Sequence, residues 1–188
     1  MKSLYQQILT EDFAKLAPVL QALHGAQGAQ VQGTLAVGWT RAFWPRLLPL
    51  LARMPAASPA ASCRVGIAPV TQTSERWQRV IGGRAMNSLM QAGTGAVIVE
   101  HVGPIAAPLR TWVDAEGGLH QRCERVVLRG LGWPVPGLTI SASEHPIDAR
   151  RYHCRVKVDL ARFGTLIHYN GVLSLVEPTS SSTQTENP

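Results

Sequence analysis

The chain has 188 residues, 45% of them hydrophobic and 16% charged, with a formal net charge of +6 carried mainly by arginine. That length supports one domain with a sizeable core. The basic excess favours acidic partners. The basic residues are not interleaved with aromatics as a nucleic-acid surface requires, so no nucleic-acid partner is expected.

The cysteines, Cys63, Cys123 and Cys154, are odd in number and widely spaced. That pattern supports neither a disulfide framework nor a zinc knuckle and fits free thiols in a reducing compartment. The start, MKSLYQQILTEDF, lacks the continuous apolar run of a secretory leader. No run approaches the roughly 18 apolar residues of a membrane span. A cytoplasmic location is the expectation.

Leu4 to Leu23 carries apolar residues at helical spacing: Leu4, Ile8, Leu9, Phe13, Leu16, Val19, Leu20 and Leu23. Pro18 divides it, so two short helices or one kinked helix is expected. Gly25 marks the helical end, with His24 positioned to meet the last carbonyls. Val31–Val37 alternates and predicts a first strand, its glycines pointing to a bulge or bend. Positions 41–54 (RAFWPRLLPLLARM) are the most apolar part of the chain and read as a helix broken at Pro49. It either covers one end of a sheet or serves as an arginine-flanked lid touching membrane or admitting a ligand.

From Ser62 the period changes from 3.6 to 2. Strands are predicted at Cys63–Val70, Glu75–Ile81, Arg84–Ala92, Ala96–Val102, Ile105–Val113, Leu119–Leu128, Leu138–Ile147, Arg151–Leu160 and Leu166–Val176. Gly82-Gly83 is a type I′ hairpin signal, because both turn residues need positive φ. In Arg151–Leu160, Tyr152, Cys154, Val156 and Val158 face one way and charged residues the other. The fold class is therefore α+β, mainly antiparallel β. We expect a curved sheet or lipocalin-like barrel of about nine strands, with N-terminal helices over one end. A helix-grip lipid-transfer fold ranks second, since no long C-terminal helix follows Leu166. Residues 1–176 make one β-rich domain, and 177–188 a polar tail expected to be disordered.

Leu4-Tyr5 through Phe13, His24-Gly25, Glu75-Arg76-Trp77 with Gly82-Gly83-Arg84, Val99-Glu100 with Gly103-Pro104, and His168-Tyr169 with Gly171 occur in that order. In this the chain resembles the bacterial domain-of-unknown-function family 4166, from about Leu4 to Val176. His101-Val102 stands where that family usually shows an aromatic. The resemblance implies no established activity. It does imply an accessory or ligand-presenting role, because such domains occur attached to saccharopine-dehydrogenase-like Rossmann domains. A dehydrogenase partner, docked through the Trp44 segment, is one expectation that follows.

No catalytic motif stands out. The histidines are too dispersed in sequence to propose a metal site, no cofactor is expected, and no G-x-S-x-G elbow occurs. Glu75, Trp77 and Arg79 share a strand face, and an inward arginine needs an anionic partner, for which Glu100 is the candidate. Trp77, Arg79, Arg84, Glu100, Trp112 and Tyr169 form the candidate ligand-binding set. The expected function is binding a small apolar or amphipathic anionic ligand, lipid-like, inside a barrel. An isomerase or cyclase with Glu100 or Asp114 as base is the alternative.

Overall fold

A computed structural model describes residues 2–39 and 55–177. Both the 41–54 segment, with Trp44, and the end of the polar tail from position 178 lie outside the described residues.

The helical stripe divides at Pro18 as its ring demands. Helix α1 (Leu4–Leu9) is followed by a 3-10 helix (Thr10–Lys15) and by α2 (Pro18–Leu23), with Pro18 in the first turn. Ser3 and Gln6 close a capping box on α1, Ser3 Oγ accepting from the Gln6 amide and Gln6 Oε1 from the Ser3 amide. Leu4, Tyr5, Leu16, Leu20 and Leu23 are all buried. Among the described residues no helix is long and apolar enough to cross a membrane.

Among the described residues eleven antiparallel strands follow: β1 (Ala29–Trp39), β2 (Ser58–Thr71), β3 (Ser74–Ile81), β4 (Arg84–Ala92), β5 (Val97–Val102), β6 (Ile105–Val113), β7 (Leu119–Cys123), β8 (Val127–Leu128), β9 (Leu138–Pro146), β10 (Arg151–Leu160) and β11 (Gly164–Leu175). Their order is β5-β4-β3-β2-β1-β11-β10-β9-β7-β6, and β5 also pairs with β6, so ten strands close into a barrel. β8 lies outside that ring, against the start of β6. Closure gives each of the ten wall strands a neighbour on both sides over at least part of its length, which removes most of the edge a long meander would expose.

Gly82 and Gly83 take φ of 57° and 78°, the two positive values that a type I′ turn needs. β1 slips register between Leu35 and Val37, the irregularity its glycines foretold. One expected strand, Leu119–Leu128, is instead two. The chain leaves the barrel wall after Cys123 so that Val126 can be buried in a second apolar cluster with Ala107, Leu109 and Leu138. The main core joins the helices to the inward faces of β1, β2, β3 and β11. The helices therefore close one end of the barrel, the end where β3 begins and β4 finishes.

Candidate functional site

Strict alternation along β3 turns Glu75, Trp77, Arg79 and Ile81 to the barrel interior, and Arg76 and Gln78 to solvent. An arginine inside a barrel must be matched, and this one is. Arg79 Nη1 donates to Glu100 Oε1 on β5 at 2.9 Å and to Ser88 Oγ on β4 at 2.7 Å. Its guanidinium carbon lies 4.7 Å from the Trp77 ring centroid, a cation–π contact. The pair expected from the sequence is thus formed across three neighbouring strands.

Nearer the helices stands a second polar group. His24, expected to meet helical carbonyls, instead turns its ring inward. Its centroid is 3.9 Å from that of Tyr5 and 5.9 Å from that of Trp77, and Nε2 lies 2.7 Å from Glu144 Oε2 on β9. The backbone N–H of His24 caps α2 through Leu20 O, while the imidazole fills the barrel's end. Glu75 is 4% exposed. Its Oε1 accepts the Leu4 amide at 3.1 Å, at the start of α1. Glu75 Oε2, Trp77 Nε1 and His24 Nδ1 are buried with no hydrogen-bond partner among the described residues. Burial pushes the Glu75 carboxyl above its ordinary range, against the opposing pull of His24, the Leu4 amide and Trp77.

Burial also raises the phenols of Tyr5, Tyr152 and Tyr169, and pushes the Cys63 thiol up to about 11. Cys154 is raised further by the same cause. All three cysteines are free, and Cys63 and Cys123 are buried. Raised, neutral thiols of this kind are poor nucleophiles.

Packing is uneven along the barrel axis. Next to the helices, inward residues such as Tyr152, Leu173, Met90 and Ile98 are fully buried. Farther from the helices, Arg79, Met86, Glu100, Val156 and Val158 are only half-buried although they share the inward face, while Ile81, Cys63, Tyr169 and Ile167 at the same end are buried. On the outside, a cleft of about 590 Å³ lies between the 3-10 helix and the β4–β5 turn. Its one carboxylate, Asp12, is already paired with Lys15 at 2.7 Å.

Of the expected set, the fold gathers Trp77, Arg79, Glu100 and Tyr169 inside the barrel. Arg84 is exposed at the β3–β4 hairpin, and Trp112 sits on the outer wall, 40% exposed, stacked on His120. Sequence reasoning missed His24, Glu144, Tyr5 and Tyr152, which no motif links. It also found no histidines near one another, whereas donor atoms of Asp114, His120 and His145 all lie within 4.8 Å. Neither carboxylate considered as a base is well placed for that work. Glu100 is held by Arg79. Asp114 lies outside the barrel, where hydrogen bonds from His120, Gly118 and Glu116 outweigh its burial and hold it below the usual carboxylate range.

These features define a closed antiparallel barrel, capped by helices at one end, with charged and aromatic residues inside. The chain belongs to the family described as Domain of unknown function (DUF4166), which matches residues 16–173. No curated protein matches it. Among solved structures, the dehydratase domain of RzxB from Pseudomonas fluorescens is 13% identical, covering 84% of this chain and 81% of that one, with a TM-score of 0.19. So slight a likeness carries no argument about fold or chemistry.

Proposed function

We propose that the barrel binds a small apolar or amphipathic molecule, with its polar or anionic end beside Arg79 and its apolar part against Met86, Val156 and Val158. The observation that carries this reading is the half-burial of five inward-facing side chains, Arg79, Met86, Glu100, Val156 and Val158. Apolar side chains inside a closed barrel are normally packed out, and inward side chains left partly exposed are ones that a ligand would cover. An anionic head would share or take the guanidinium from Glu100, which suits Arg for this role because its planar fork carries five donors.

Native mass spectrometry of freshly purified protein is the direct test, followed by calorimetric titration with dodecanoate and with dodecanol. A co-purifying molecule, or saturable binding that prefers dodecanoate and loses that preference in Arg79→Gln, is the expected result. A bare chain that binds neither compound overturns the reading. A bare chain that instead captures a dehydrogenase would favour an interaction module.

A further inference from the structure

On the outer wall, at the helix-covered end, three donors converge from separate parts of the sheet. Asp114 follows β6, His120 is on β7 and His145 is on β9, with His120 and His145 facing outward from adjacent strands. Asp114 Oδ2 lies 2.6 Å from His120 Nε2 and 3.7 Å from His145 Nδ1. The carboxylate is pre-aimed. Its Oδ1 accepts the Gly118 amide at 2.7 Å and the Glu116 amide at 3.0 Å, which leaves Oδ2 to the two imidazoles.

The space around the donors is kept open by residue choice. A Cβ on Gly118 would come within 2.7 Å of Asp114 Oδ2 and 3.0 Å of His145 Nδ1, so no side chain can stand there without displacing the cluster. Trp112 stacks on His120 at 5.3 Å between centroids and an interplanar angle of 13°, which keeps that ring against the outer wall. A hydrogen bond to Asp114 accounts for His120 alone. It does not account for a second imidazole nitrogen converging on the same oxygen.

We propose that Asp114, His120 and His145 bind a divalent cation of the zinc class, with three protein donors and the remaining coordination positions open to solvent. Two imidazoles and one carboxylate are the donors such cations take, whereas calcium and magnesium seek all-oxygen shells. Donors on a tetrahedral zinc ion stand roughly 3.3 Å apart, given bonds of about 2.0–2.1 Å. To reach that value the 2.6 Å pair would open and the 3.7 Å pair would close, each by less than about 1 Å. The ion would tie the β6–β7 turn to β9. This site is separate from the barrel interior and does not depend on the ligand proposed above.

The test is calorimetry on untagged protein with Zn²⁺, Co²⁺, Mg²⁺ and Ca²⁺, together with the visible spectrum of the Co²⁺ form. One zinc ion per chain is expected, with cobalt d–d bands, no thiolate-to-cobalt charge transfer, and no response to Mg²⁺ or Ca²⁺. His145→Ala and His120→Ala should each weaken zinc binding at least tenfold, since even residues that merely support a ligand contribute 10–100-fold. His168→Ala, an exposed histidine on another strand, should bind as the unmodified protein does. His145 is 44% exposed, so its replacement leaves folding intact, which circular dichroism verifies. No zinc binding, binding unchanged in both variants, or a thiolate band pointing to cysteine ligands would overturn the assignment.

Discussion

Glu75 shows how one side chain couples the helices to the barrel. Its carboxylate receives the first amide of α1 through Oε1, while Oε2 is buried without a partner. An anion half-satisfied at 4% exposure favours its protonated form, so burial places the folded pKa above the unfolded value. The linkage sign follows. Below the ordinary glutamate value of about 4.3 the group is protonated in both states and carries no penalty, and stability is lost as pH rises through the raised folded value. Glu75→Gln keeps an acceptor for Leu4 and cannot ionise. Urea unfolding across a pH series should show the variant gaining on the unmodified protein as pH rises, with His24, the charge that pulls hardest against the shift, present in both. A difference that widens toward low pH instead would mean that the ionised carboxylate stabilises the fold.

At the scale of elements, β1 and β11 are held closer than ordinary side chains allow. A Cβ on Gly33 would lie 2.1 Å from Val172 O, and one on Gly171 would lie 2.1 Å from Thr34 O. Gly66, by contrast, has only Gln78 Oε1 near, at 4.0 Å. Gly171→Ala should therefore cost about 1–3 kcal/mol or more through overpacking. Gly66→Ala should be neutral or stabilise by about 0.4–1 kcal/mol through the unfolded chain. Thermal unfolding of the two variants side by side decides this, and equal effects would show that β1 and β11 have room to separate.

The same strands show what was legible in the sequence. Alternation and the Gly82-Gly83 turn are local signals, and they located the hairpins and the inward face of β3 that holds Trp77 and Arg79. The break between β7 and β8 was not legible, because what ends β7 is the burial of Val126 against residues from other parts of the chain. His24 and Glu144 are 120 residues apart, and only closure of the barrel makes them neighbours. Asp114, His120 and His145 meet through the β7–β9 register, which no spacing motif encodes.

For the whole molecule, closure is weakest where pairing is shortest. β10 and β11 share ten residue pairs, whereas β4 and β5 share four, Leu89–Ala92 against Ile98–His101, as few as β6 and β7. Beyond Leu89, the half of β4 toward its hairpin, Arg84–Ser88, has no partner on β5. Arg79 reaches across that stretch from β3, through Ser88, to Glu100, so the ion pair fastens from inside what backbone pairing leaves open. At 13% and 16% exposure, breaking the pair leaves a largely desolvated charge behind. Glu100→Ala should then cost about 3–5 kcal/mol, and Arg79→Ala a similar amount. The double variant should lose less than their sum, because the two side chains act as a unit. Amide hydrogen exchange should locate the damage as well as measure it. In the unmodified protein β5 exchanges before β10 and β11, and in Glu100→Ala the amides of β5 and of Leu89–Ala92 accelerate most. Additive losses below about 1 kcal/mol, with exchange in β5 unchanged, would show that the ring closes without the pair and that Arg79 is held in place for a ligand alone.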